Sequence, residues 1–142
     1  MIFLDVNILL YAYRQDAKDH PSYKKFLQHV IDANEPYAIA SVVFSGFLRI
    51  VTHPKVYAKP TPIRDALKFV SELRKPLSFM AGEPGPKHWG VFTELCEKLK
   101  VTGNLVPDAY LAAIAIEHGW ELISTDKDFK RFPKLRLRHP IE

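Results

Sequence analysis

The opening stretch, Met1-Ile-Phe-Leu-Asp-Val-Asn7, constrains the fold more than any other part of the chain. Ile2-Phe3-Leu4 is an unbroken apolar run, the pattern of a strand buried on both faces. Asp5 follows directly, and a helical pattern takes over from Ile8. A buried strand that ends on an acid and leads straight into a helix fits an open parallel sheet. In such sheets ligands gather at the carboxyl ends of the strands.

The rest of the chain alternates in the same way. Helices are predicted over Ile8 to Arg14, from His20-Pro21-Ser22 to Ile31, over Val42 to Thr52 with Ser41 as N-cap, and over Ile63 to Arg74. A further helix, Lys87 to Lys100, carries an apolar stripe of Trp89, Phe92, Leu95, Cys96 and Leu99. Pro107 opens the last helix, which ends at His118-Gly119. Strands are expected at Tyr37 to Ala40, Leu77 to Met80, Glu121 to Ser124 and Arg136 to Arg138. Gly82-Glu-Pro-Gly-Pro86 is the clearest turn cluster. The expected architecture is a three-layer α/β/α sandwich with a mostly parallel central sheet. No repeat or linker interrupts it, so residues 1–142 form one domain.

Composition limits the function classes. A chain of 142 residues with 47% hydrophobic and 25% charged content is an ordinary globular domain. No apolar run approaches the roughly 18 to 20 residues that span a bilayer. No secretory signal pattern opens the chain. Cys96 stands alone, which rules out an internal disulfide and suits a reducing, cytoplasmic setting. The formal net charge of +4 permits an acidic partner without demanding one. Positive charge concentrates late, where Lys127, Lys130, Arg131, Lys134, Arg136 and Arg138 are offset only by Asp128. From charge alone, a solvated terminal face explains that strip better than RNA binding does.

Three acids stand out by position. Right-handed crossovers run helices opposite to strands, so strand carboxyl ends and helix N-termini share one edge of the sheet. Asp5 ends the first strand, Asp108 opens the Pro107 helix and Asp126 follows the fourth strand. Singly, each has a capping or helix-dipole explanation. Together, three carboxylates on one edge raise one another's pKa, a conflict that a bound cation relieves. Oxygen ligands without a Cys–His cluster point to Mg²⁺ or Mn²⁺ rather than zinc.

Leu4-Asp-Val-Asn-Ile-Leu-Leu10, Pro107-Asp-Ala-Tyr-Leu-Ala-Ala113 and Ser124-Thr-Asp-Lys-Asp-Phe129 together resemble the PIN-domain family. More narrowly the chain resembles the VapC ribonuclease toxins of toxin–antitoxin pairs, and the similarity runs end to end. The resemblance implies a Mg²⁺-dependent endoribonuclease, a VapB-type antitoxin partner and a homodimer. It makes Asp5 and Asp108 metal ligands, with Asp126 completing the acidic site. The chain departs from the family at Gly46, where such toxins commonly carry a glutamate in the third helix. Ser45, a water or Asp128 are the candidates to fill that gap. A mid-helix glycine costs about 1 kcal/mol relative to alanine, which suggests a packing or site reason for it.

The expected chemistry is phosphodiester hydrolysis by a metal-activated water. Asn7 and Thr125 adjoin the acids and are candidates to orient water or a carboxylate, with plain capping as the competing role. Arg49, Lys127, Lys130 and Arg131 are candidates for contacts to RNA phosphates. Single-stranded or looped RNA suits a metal crevice best. Tyr110 and Trp89 could stack on bases, although its spacing assigns Trp89 to the core. The histidines, among them His20, His53, His88, His118 and His139, read as satisfied surface residues.

Two other functions fit some of these features. A PIN-like module that binds RNA or a partner and cuts nothing is compatible with Gly46. A haloacid dehalogenase-type phosphatase also begins strand–Asp, but it needs an acid where Asn7 stands.

Overall fold

The computed structural model spans residues 1–142. Five strands form one sheet: β1 (Ile2–Leu4), β2 (Tyr37–Ile39), β3 (Phe79–Ala81), β4 (Glu121–Ile123) and β5 (Arg136–Arg138). Six helices accompany them: α1 (Val6–Tyr13), α2 (His20–Asp32), α3 (Ser41–Val51), α4 (Ile63–Arg74), α5 (His88–Lys98) and α6 (Leu105–His118). Every strand pairing is parallel, in the order β3-β2-β1-β4-β5.

That order explains the layers. The chain moves outward from β1 through β2 to β3, then jumps back past β1 to β4 and β5. With right-handed crossovers, the helices of the outward leg and those of the return leg lie on opposite faces. The packing agrees, since α1 contacts α2 and α3, α3 contacts α4, and α5 pairs with α6. The result is the expected α/β/α sandwich. The strand order reverses between β1 and β4, and open α/β sheets bind ligands at such a reversal.

The central strands are almost wholly buried: Phe3, Leu4, Tyr37, Ala38, Ile39, Leu122 and Ile123 have no exposed surface. Tyr37 carries its hydroxyl into the core and donates it to the Leu73 carbonyl at 2.6 Å. On α6, Ala109, Ala112, Ala113 and Ala115 are fully buried. Their small side chains let the helix lie close to its neighbours.

The turn cluster has a specific packing task. A Cβ at Gly82 would fall 2.5 Å from Phe3 Cε1 and 3.2 Å from the Ile39 carbonyl carbon. Only glycine lets the chain pass over the end of the sheet there. Glu83 and Glu117 then anchor the loop. The Glu83 carboxylate accepts from Ser41 N at 2.7 Å and Ser41 Oγ at 3.0 Å. Glu117 accepts from Gly85 N and Lys87 N, both at 2.8 Å.

Several local expectations are corrected. Ser41 lies inside α3, and Ala40 holds the cap position without a side-chain bond. Glu83, 42 residues away, satisfies the Ser41 N–H instead. β3 begins at Phe79, and Leu77 is fully exposed outside it. α6 starts at Leu105, one turn-half earlier than Pro107 suggests. A first-turn N–H has no partner within its helix, so proline is tolerated there too. Trp89 is 67% exposed rather than buried. The rest of the expected stripe, Phe92, Leu95, Cys96 and Leu99, does face inward, and His88 takes the place of Trp89 at its start. His88 is therefore a buried histidine at 3% exposure, bonded through Nε2 to the Tyr110 carbonyl at 2.9 Å and stacked on Phe92.

Candidate metal centre at the sheet reversal

The site is built where β1 and β4 end side by side. Leu4 pairs with Ile123, and Asp5 N donates to the Ile123 carbonyl at 3.1 Å. The next residue on each strand is thus Asp5 or Ser124. Asp5 serves as the N-cap of α1, its Oδ1 accepting from Val6 N at 2.7 Å. Its other oxygen, Oδ2, accepts from Ser124 Oγ at 2.7 Å, which ties the cap to the end of β4. Asp5 is only 6% exposed. Burial pushes its pKa up, the bonds from Ser124 and Val6 pull it down, and the Asp126 charge raises it again.

Ser124 is the residue that the sequence did not single out. Its hydroxyl donates to Asp5 and accepts from Asp126 N at 3.0 Å and Asn7 Nδ2 at 3.3 Å. One donor and two lone pairs are all a serine hydroxyl has, so its bonding capacity is filled. Its only sequence signal is its place directly after a buried strand and two residues before an acid. Asn7 reaches the same junction, and Thr125 N lies 3.5 Å from Asn7 Oδ1. Thr125 thus contributes its backbone.

Asp126 caps a single 3₁₀ turn, Lys127–Arg131, its Oδ1 accepting from Asp128 N at 2.9 Å. Asp108 lies in the first turn of α6. Carboxylate oxygens of Asp108, Asp126 and Asp128 all lie within 4.8 Å of one another. The most compact group is therefore Asp108, Asp126 and Asp128, with Asp5 buried behind it and linked through Ser124. Burial pushes the Asp108 carboxyl up to about 6, helped by the charges of Asp126, Asp5 and Asp128; Arg131 offsets part of this. Like charges in a partly dry crevice resist joint ionisation. Hard oxygen donors crowded in this way, with no histidine or cysteine among them, fit Mg²⁺ or Mn²⁺.

The other expected residues divide. Arg131 is near the acids, with Nη2 3.7 Å from Asp128 Oδ1. Arg49 is exposed and three residues beyond Gly46, on the same helical face, with no ion pair to the acids. Lys127 and Lys130 line a separate cavity beside Asp126. Ser45 does not join the site: it lines a groove with Phe44, Leu48, Leu67 and Phe79. Gly46 does face the site end of α1, but an added Cβ would meet only Val6 Cγ2, at 3.8 Å. Its backbone packing does not require glycine, so of the two expected reasons, packing or site, the packing one does not hold.

Comparison with known proteins agrees with this architecture. The PIN domain family model matches residues 2–135. The chain is 37% identical over 142 residues to VapC ribonuclease Mb2897 of Mycobacterium bovis, covering all of this chain and 97% of that protein. It is 35% identical over 142 residues to ribonuclease VapC25 of Mycobacterium tuberculosis, covering 99% and 100%. Among solved structures, VapBC2 from Rickettsia felis, bound to a DNA fragment from its promoter, superposes with a TM-score of 0.71 at 24% identity, over 98% of each chain. No helix of this chain is long and apolar enough to cross a membrane. The chain belongs to the PIN-domain family and, within it, to the group of VapC ribonucleases.

Proposed function

We propose that this protein is a divalent-cation-dependent endoribonuclease, the toxin of a pair with a VapB-type antitoxin, acting as a homodimer on single-stranded or looped RNA in the cytoplasm. The observation that carries this is the crowding of Asp108, Asp126 and Asp128 within 4.8 Å, with Asp5 tied to them through Ser124. Relatives named as ribonucleases along the full length of the chain support the same activity.

Asp108, Asp126 and Asp128 are the residues that would hold Mg²⁺ or Mn²⁺, with Asp5 behind them. When bound, such an ion polarises a phosphate and lowers the pKa of an attacking water. The chain's own residues do the remaining work. Asp5 and Asp126 are held still by Ser124, so their charges need little reorganisation during reaction. Asn7 stiffens the same junction through Ser124 and Thr125. Arg131, beside Asp128, brings positive charge to the acidic crevice and lowers its repulsion toward RNA. Arg49, exposed three residues beyond Gly46, is a further candidate for contact with an RNA phosphate.

Membership of the PIN family removes the phosphatase alternative, and Asn7 is occupied with Ser124 rather than poised as an acid. A binding module without cleavage remains the rival because Gly46 leaves the α3 side of the crevice without a carboxylate. Mapping new RNA ends in cells expressing the wild-type protein or Asp5→Asn separates the two. The ribonuclease reading expects new ends with the wild type only, relieved by the antitoxin. The binding reading expects the same ends from both.

A further inference from the structure

The 3₁₀ turn after Asp126 has three distinct faces. A 3₁₀ helix has three residues per turn, so positions i and i+3 eclipse. Phe129 and Phe132 point into the core, each 2% exposed, and anchor the turn. Asp128 and Arg131 pair at 3.7 Å beside the carboxylate cluster. Lys127 and Lys130 share the remaining face and line a cavity of about 340 Å³ between the turn and β5. Asp126 belongs to both its wall and the cluster.

The cavity is polar, with Leu137 as its single apolar lining residue. His139 closes one side. Ile141 N donates to His139 Nδ1 at 3.3 Å, which leaves Nε2 to carry the ring proton and act as donor. That Nε2 already has an anion near it, the Glu142 carboxylate at 3.9 Å on the cavity rim. Neither Lys127 nor Lys130 makes an ion pair with any carboxylate of the chain. Two lysines without ion pairs and a histidine thus line, together with Arg138, a cavity that shares one wall, Asp126, with the acidic crevice.

We propose that this cavity is a phosphate subsite, in which Lys127, Lys130 and His139 hold the RNA phosphate adjacent to the one being cut. The proposal rests on the ribonuclease reading above and adds the path of the substrate: the strand leaves the carboxylates across Asp126 toward β5. Lysine suits this task because a flexible point charge can follow a mobile single strand. The 3₁₀ turn separates the two jobs, with Arg131 serving the acidic side and the lysines the flanking phosphate. Glu142 occupies the anion position only until a phosphate displaces it.

The test uses a short fluorescent single-stranded oligoribonucleotide in EDTA, with anisotropy as readout, and the same RNA in Mg²⁺ for cleavage. Lys127→Ala/Lys130→Ala should weaken binding about tenfold and flatten the dependence of log Kd on log salt by about 0.7, the share of one phosphate on a single strand. Lys18→Ala/Lys68→Ala removes the same charge from exposed positions elsewhere and should change neither. Replacing the flanking phosphate by an uncharged methylphosphonate should slow cleavage by the wild type but not by the double lysine variant. Circular dichroism checks that both variants are folded, and Lys127→Arg/Lys130→Arg should restore binding. Wild-type cleavage with unchanged binding by the double variant, or equal losses from the control pair, overturns the subsite alone. A wild-type protein that neither binds nor cuts RNA overturns the ribonuclease reading and the subsite with it.

Discussion

Ser124 Oγ donates a 2.7 Å hydrogen bond to Asp5 Oδ2, joining residues 119 positions apart at the ends of two adjacent parallel strands. The same oxygen accepts from Asp126 N, so one hydroxyl fixes two acids of the site. Ser124→Ala removes a donor and leaves buried polar partners unmatched. It should destabilise the protein by about 1 to 3 kcal/mol, read from the urea midpoint. It should also reduce cleavage beyond any loss of folded protein, because Asp5 and Asp126 are then free to move.

Asp108 gives the site a pH signature. Its carboxyl is pushed up from 3.8 to about 6 in the folded chain, mainly by burial. A cation needs the ionised form, so protons compete with it below that value. Mg²⁺ affinity should be flat above pH 6 and fall about tenfold per unit below it, measured by isothermal titration. Asp108→Asn should bind Mg²⁺ weakly at every pH.

The same shift acts on stability with the opposite sense. The folded chain holds this proton to higher pH than the unfolded chain, so ionising Asp108 opposes folding. The contribution favouring the fold is fully present below about 3.8 and is lost as pH rises through about 6. Without divalent ions, Asp108→Asn should therefore gain urea resistance over the wild type as pH rises across that window. Adding Mg²⁺ at pH 7 should raise the wild-type Tm and leave that of Asp108→Asn unchanged.

Gly46 permits two opposite tests. An added Cβ meets only Val6 Cγ2 at 3.8 Å, an ordinary contact. Gly46→Ala should stabilise the protein by about 0.5 to 1 kcal/mol through helix propensity. Gly46→Glu supplies a carboxylate on the face next to Asp5's helix and should tighten Mg²⁺ binding. Gly82→Ala, by contrast, drives a methyl into Phe3 and should cost about 1 to 3 kcal/mol.

The sequence carried the fold where chemistry and boundary coincide. Asp5, Asp108 and Asp126 were visible because each marks the end of a buried strand or the start of a helix, and crossover handedness then puts those boundaries on one edge. Ile63–Arg74 was legible throughout from its apolar spacing. What escaped depends on distant partners. Glu83 caps α3 from the loop after β3, and no local pattern announces it. On α5, stripes beginning at His88 and at Trp89 both have helical spacing; hydrophobicity favours the tryptophan, whereas packing against Tyr110 selects the histidine. Ser124 was missed because its role exists only once β1 and β4 are neighbours. Where Ser45 points is likewise set by its neighbours: adjacent residues on a helix face different ways, and Ser45 lines the groove with Leu67 while Gly46 turns to Val6.

The most direct test is cleavage of single-stranded RNA by the purified protein in Mg²⁺ and in EDTA, alongside Asp5→Asn and Asp108→Asn. Cutting by the wild type in Mg²⁺, none in EDTA, and none by either folded variant is the predicted result. Cutting that survives EDTA, or that persists in both variants, would contradict the assignment of these carboxylates to a cation-dependent nuclease site.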